Sequence, residues 1–255
     1  MVPRRGEGRS VLITGSSRGI GRAIAERFGA EGYHVVANDL ERQRAELEEV
    51  RDGIAKAGGR CDLVFADISD PASVKRMVEE TMGLVGHLDV LINNAGVLSV
   101  HLVEDIEPDE WDRMYDVNVK GTFLVCKEVL ARLRAAGRGG RFINIASIGG
   151  KRGAPGQAHY CSSKSAVIGF TQILAMEVAK NGITVNAVCP GIIDTEMGRN
   201  NYRDEESLRK VKEKTLLGRL GYPADVVGSV AFFASDDAAF ITGQSLNVDG
   251  GIVFH

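Results

Sequence analysis

Tyr160 and Lys164 stand four residues apart, and Ser147 precedes Tyr160 by thirteen. On a helix that spacing stacks the phenol and the amine on one face. A phenol alone is a poor acid–base catalyst near neutral pH, because its ordinary pKa is about 10. An ammonium group held close favours the phenolate, at about 1.4 kcal/mol for each unit of depression. A hydroxyl such as Ser147, delivered by a separate strand end, can hold an oxygen that gains or loses a proton. The three side chains together could move a proton on or off an alcohol oxygen. In isolation, Y-x-x-x-K more often marks a Tyr and a Lys that merely share a surface.

Such groups need a scaffold. Apolar runs of strand length (Ser10–Thr14, His34–Asp39, Asp62–Ala66, Asp89–Asn93, Arg141–Ala146, Thr184–Val188 and Ser245–Val248) alternate with helix-period segments. Most of the runs are continuous, as in Val90-Leu91-Ile92, which predicts strands buried on both faces. No linker rich in Pro, Gly or Ser breaks the alternation. The pattern predicts one α/β domain over residues 10–255, a doubly wound Rossmann-like sheet with helices on both faces. Residues 1–9, with Arg4, Arg5 and Arg9, are expected to be a solvated N-terminal tail.

Composition narrows the class of function. The 255-residue chain is 44% hydrophobic and 25% charged, with a net charge of -3, as in an ordinary globular protein without a nucleic-acid footprint. No apolar run approaches the roughly 20 residues needed to span a bilayer, and the first nine residues lack the apolar core of an export signal. Cys61, Cys126, Cys161 and Cys189 form no C-x-x-C pair, and the five histidines show no ligand spacing. Free thiols in a reducing cytoplasm and no metal site are expected.

A second constellation lies nearer the start. The first strand runs into Thr14-Gly15-Ser16-Ser17-Arg18-Gly19-Ile20-Gly21, and a helix (Arg22–Gly29) follows at once. Glycines allow a tight turn and let backbone amides approach a pyrophosphate at the positive end of the helix. Asp39 ends the second strand, where a carboxylate can accept hydrogen bonds from both ribose hydroxyls and repel a 2′-phosphate. Arg18, Arg42 and Arg44 could offset that repulsion, so NAD is favoured over NADP without being exclusive. Asp39 could equally cap the helix Leu40–Ala57. Asp67, followed by Ile68, could meet an adenine amino group, or Asp67 or Asp70 could simply cap the next helix. Asn93-Asn94-Ala95-Gly96 ends the fourth strand at the edge where ligands of such sheets bind, and its amides could tie strand ends together. Asn118 lies in an apolar stretch and, if buried, needs partners, in either a structural or a catalytic role. Past Pro190-Gly191, Thr195 and the amide of Ile193 could reach a nicotinamide carboxamide. From Gly198 to Lys214 the sequence turns highly charged, and residues 192–216 could be a lid, although a plain solvated helix explains the charge equally well. The helix Ser162–Lys180 is apolar almost all round, which predicts a second copy of the chain against its outer face.

In these features, from about Ser10 to Gly251, the chain resembles the short-chain dehydrogenase/reductase family. The resemblance rests on T-G-x-x-x-G-I-G (Thr14–Gly21), N-N-A-G (Asn93–Gly96), Asn118, Ser147, Y-x-x-x-K (Tyr160–Lys164) and P-G (Pro190–Gly191), with no departure at these positions. It implies a seven-stranded parallel sheet with the cofactor along its carboxyl edge. Tyr160 would be the general acid or base, Ser147 would hold the substrate oxygen, and Lys164 would bind the nicotinamide ribose and lower the Tyr160 pKa. Asn118 would anchor a water linking Lys164 to solvent. Gly15, Arg18, Gly19, Ile20, Gly21, Asp39, Asp67, Ile68, Asn94, Tyr160, Lys164, Ile193 and Thr195 match cofactor-contacting positions. Members commonly form homotetramers, or homodimers, on two long apolar helices.

The expected activity is an NAD-dependent oxidoreductase interconverting a secondary alcohol and a ketone. Gln157 and His159 favour a small hydroxylated substrate such as a polyol, sugar or diol. The other expected cavity walls are Val97, Leu98, Gly149, Gly150, Ala154, Ile192, Met197 and Tyr202. One rival is a 3-oxoacyl carrier-protein reductase, which the run from Gly218 to Gly251 resembles. Asp39 opposes it, since biosynthetic reduction generally draws on NADPH. The other rival, a catalytically silent nucleotide-sensing protein, gives no reason for an intact Ser147, Tyr160 and Lys164.

Overall fold

The computed structural model describes residues 5–202 and 204–254. In chain order the elements are β1 (Ser10–Thr14), α1 (Gly19–Ala30), β2 (His34–Asp39), α2 (Arg44–Lys56), β3 (Arg60–Phe65), α3 (Pro71–Val85), β4 (Val90–Asn93), α4 (Pro108–Tyr115), α5 (Thr122–Ala135), β5 (Gly140–Ile145), α6 (Gly149–Arg152), α7 (Ala158–Val178), β6 (Ile183–Pro190), α8 (Glu205–Lys214), α9 (Pro223–Ala234) and β7 (Ser245–Val248). The strands form one sheet in the order β3-β2-β1-β4-β5-β6-β7, and every pair is parallel. It is a single Rossmann-like domain.

Why the strands read as continuous apolar runs is plain from their burial. Along β1 all five residues are buried, with Val11 and Ile13 packing into one core layer and Leu12 into the other. Successive side chains on a strand point to opposite faces, so a strand covered on both sides is apolar except where a polar side chain such as Ser10 or Asn144 finds a hydrogen-bond partner. Ile24 and Phe28 of α1, Leu47 and Val50 of α2 and Val226 and Val230 of α9 fill the first layer. Met77 of α3, Val125 and Val129 of α5 and Val178 of α7 fill the second.

Several boundaries differ from the sequence reading. The expected helix over Leu40–Ala57 opens with a 3-10 turn at Glu41–Gln43 before α2 begins. Asp39 therefore caps no α-helix. Asp70 does, accepting from the amides of Ala72 and Ser73 with Pro71 in the first turn. The catalytic-type helix starts at Ala158 rather than Ser162, which places Tyr160 inside it. α4 and α5 are joined by a π-helical turn, Asp116–Gly121. The N-terminal residues are also less free than expected. Gly6 donates its amide to the Glu31 carbonyl and lies against Tyr33, where a Cβ would sit 2.0 Å from the ring. Arg9 pairs with Asp236 at 2.6 Å and Arg5 with Asp237 at 3.6 Å. Arg4 lies outside the described residues, as does Arg203 of the expected lid. Among the described residues no helix is long and apolar enough to cross a membrane.

Candidate active site

The strand order reverses between β1 and β4, and in such sheets the crevice beyond the carboxyl ends at that point receives ligands. Here the loops that follow β1 to β6 surround one cavity of about 1370 Å³. At one end the turn after β1 enters α1. Gly15 has φ +65°, and a Cβ there would come within 2.7 Å of the Ala95 backbone. Asn94 holds the turn by donating its side-chain amide to the carbonyls of Thr14 (3.0 Å) and Gly15 (2.8 Å). The first turn of α1 lines the cavity through Gly19 and Ile20, so its free amides and positive dipole end suit an anion.

Further along the edge, Asp39 accepts from the amides of Ser17 (3.1 Å) and Leu40 (2.8 Å), which fixes its carboxylate at the mouth of β2. Asp67 accepts from the Ser69 amide and hydroxyl, with Ile68 beside it in the cavity wall. Ile193 and Thr195 close the opposite wall, where Thr195 accepts from the Gly198 amide at 3.0 Å. All the cofactor-type residues singled out by pattern line this space except Gly21. Gly21 supports the turn from behind: a Cβ there would meet the Gly15 carbonyl at 2.1 Å and the Asn94 amide at 2.5 Å. The volume of the cleft and its glycine cradle fit a dinucleotide.

Ser147, Tyr160 and Lys164 meet at the other end. β5 delivers Ser147 just past its carboxyl terminus, and α7 presents Tyr160 and Lys164 on one face. The Ser147 hydroxyl lies close enough to the phenol to favour its ionised form, and it accepts from the Gly149 amide at 3.0 Å. Lys164 donates to the Ile145 carbonyl at 2.9 Å, with its Nζ 5.9 Å from the Tyr160 ring centre.

The electrostatics correct one expectation. Burial pushes the Tyr160 phenol up to about 12 despite the opposing pull of Ser147, rather than down. Burial also brings the Lys164 ammonium down to about 8. Both shifts have one cause: a charge removed from water is disfavoured whichever sign it carries. Desolvation is the largest influence on both groups. The thiols of Cys161 and Cys189, next to the phenol, are likewise raised by burial.

Asn118 is buried in the π-helical turn and does not line the cavity. Its side-chain oxygen accepts from the Val97 amide (2.8 Å), and its amide donates to the Val97 carbonyl (3.0 Å) and the Ser163 hydroxyl (3.0 Å). Gly96 separates it from Lys164: a Cβ there would lie 3.1 Å from the Asn118 oxygen and 3.4 Å from the Lys164 Nζ. Ser163, its partner, had no signal beyond adjacency to Lys164.

Two of the expected walls do not face the cavity, Gly150 and His159. Adjacent helix positions point about 100° apart, so His159 cannot share a face with Tyr160. His159 is fully buried instead, with Nε2 2.8 Å from Ser99 Oγ and 3.5 Å from Glu110, and Ser99 also hydrogen-bonds Glu110. Gln157 does line the cavity, and it donates to Asn201 of the segment beyond β6 at 3.0 Å. Asn201 and Glu196, which pairs with Arg18 at 2.6 Å, went unnoticed in the sequence, because nothing local marks a side chain whose partner is far along the chain.

Comparison with known proteins agrees with this geometry. A family profile described as enoyl-(acyl carrier protein) reductase matches residues 15–253. A short-chain dehydrogenase/reductase from Armillaria gallica is 38% identical, with 97% of each chain covered. A 3-oxoacyl-[acyl-carrier-protein] reductase from Synechocystis is 40% identical over 95% of this chain and 96% of the relative. A crystal structure described as a short-chain alcohol dehydrogenase from Sinorhizobium meliloti superposes with a TM-score of 0.92 at 35% identity, covering 98% of both chains. With a nucleotide-type turn, a Ser–Tyr–Lys cluster and relatives aligned from end to end, the chain belongs to the short-chain dehydrogenase/reductase family of oxidoreductases.

Proposed function

We propose that the protein is an NAD-dependent oxidoreductase that interconverts a secondary alcohol and a ketone. The observation that carries this reading is that one cavity joins the glycine turn to Ser147, Tyr160 and Lys164. When bound, the nicotinamide would accept or give the hydride. Tyr160 takes the hydroxyl proton of the alcohol, or returns it to the ketone oxygen, while Ser147 holds that oxygen. Lys164 binds the nicotinamide ribose, and Asn118 anchors a water that joins Lys164 to solvent. Gly15, Arg18, Gly19, Ile20, Asp39, Asp67, Ile68, Asn94, Ile193 and Thr195 would hold the cofactor, with Gly21 supporting the turn. NAD is preferred because Asp39 and a 2′-phosphate, about 5 Å apart, would repel by about 3 kcal/mol at an effective dielectric of 20. Residues 192–216 form a substrate lid, tied to the catalytic helix by Gln157 and Asn201.

With His159 turned away, the walls lose a polar group that favoured a polyol. A 3-oxoacyl thioester is the second reading, favoured by the relatives that carry that description. A second copy of the chain covers the exposed Phe123, Ile173 and Met176 on α5 and α7. The four free thiols suit a cytoplasmic setting. Tyr160→Phe should lower turnover by roughly 10²- to 10⁴-fold with NADH binding kept. Near-normal turnover in that variant would remove the mechanism. Initial rates with NAD and NADP, on a polyol and on a 3-oxoacyl thioester, separate the two substrate readings.

A further inference from the structure

We propose that Glu196 adds to the preference for NAD by holding Arg18 away from the 2′-phosphate that distinguishes NADP from NAD. The inference rests on the nicotinamide-enzyme reading and concerns a residue outside the catalytic cluster. Arg18 Nη1 lies 2.6 Å from Glu196 Oε2, and the two side chains belong to opposite walls of the same cavity. The walls are close enough for an unstrained bridge, since a Cβ on Gly19 would lie 3.4 Å from Thr195 Cγ2.

Arg18 begins beside the ribose end of the cleft. It directly follows Ser17, whose amide is bonded to the Asp39 carboxylate at 3.1 Å. A guanidinium placed there would pair with a 2′-phosphate through two parallel N–H donors. Glu196 draws it the other way. Arg44 is held differently, by Glu41 at 2.7 Å and Glu48 at 3.6 Å from its own stretch of chain, and it stacks over Phe65. Arg42 makes no ion pair among the described residues. Of the three arginines near the end of β2, Arg18 alone is governed by a carboxylate from across the cavity. To pair with a 2′-phosphate it must leave Glu196. NAD, lacking that phosphate, demands no such exchange.

The pair is exposed, at 61% and 75% of the side-chain surfaces, so its hold amounts to no more than about a 5-fold effect. The test is fluorescence titration of NADH and NADPH at fixed ionic strength, with wild type, Glu196→Gln, Arg18→Ala and the double variant. The ratio of the NADPH to the NADH dissociation constant should fall about 3- to 5-fold in Glu196→Gln. The same substitution made on Arg18→Ala should leave that ratio where Arg18→Ala put it. A ratio unmoved in Glu196→Gln overturns the inference, and so does a fall that persists without Arg18. An equal tightening of both dinucleotides overturns it too, because Arg18 would then be reaching the shared pyrophosphate. Failure of wild type to bind either dinucleotide would refute the nicotinamide reading itself, and this inference with it.

Discussion

Replacing Lys164 with methionine keeps the side chain's approximate length and removes its charge. Lys164 is buried, and its ammonium is lowered from 10.5 to about 8 in the folded chain. Between those two values the unfolded chain carries more protons at this position than the folded one, so stability rises with pH there. The penalty for burying the ammonium is complete below about pH 8 and is gone above the ordinary lysine pKa. Integrated from pH 7 to pH 9.5, wild type should gain about 2 kcal/mol relative to Lys164→Met. Other titrating groups are common to both proteins and cancel in the difference. The assay is urea unfolding of the two ligand-free proteins at both pH values, at one protein concentration so that self-association does not intrude. Parallel pH profiles would refute the reasoning, as would a wild type that loses ground on the variant.

Gly21→Ala would drive a methyl into the Gly15 carbonyl, 2.1 Å away, and distort the turn that holds the cofactor phosphates. NADH affinity should fall by at least about 10-fold by titration, in line with about 1–3 kcal/mol of overpacking, and an unchanged affinity would contradict the packing role. Asn118→Ala strands the Val97 amide and carbonyl and leaves the Ser163 hydroxyl with only its bond to the Tyr160 carbonyl. Its urea midpoint should register a loss of about 2–4 kcal/mol even without ligand, whereas a loss below about 0.5 kcal/mol would mean the network is dispensable.

The fold was legible because burial on both faces leaves a simple mark. β1, β2 and β7 fall where the apolar runs place them, and the sheet is parallel because helical segments intervene at each crossing. Asn93 and Asn94 were readable as ties between strand ends: Asn93 donates to Asn144 at 2.8 Å, and Asn94 to the chain after β1. Direction was harder to read than presence. His159 and Tyr160 are neighbours in the chain, yet one faces Ser99 and the other the cavity. Charge state was harder still. A phenol beside a lysine suggests acidification, but burial of both is a property of the whole fold, and it reverses the direction for Tyr160. Arg18 and Glu196 are 178 positions apart, and no spacing rule joins them.

The π-helical turn at Asp116–Gly121 makes this stretch sensitive to length as well as to composition. A π turn accommodates one residue more than an α-helical turn would, between segments that otherwise continue one another. Removing one residue from it would restore the regular winding and leave the flanking segments in phase, but it would change which of the remaining residues faces inward. The buried stripe of α5 would stay on the sheet, while Asn118 would part from Val97. The extra residue of the turn is thus what aims Asn118, and a shorter helix here would keep the packing and lose that contact.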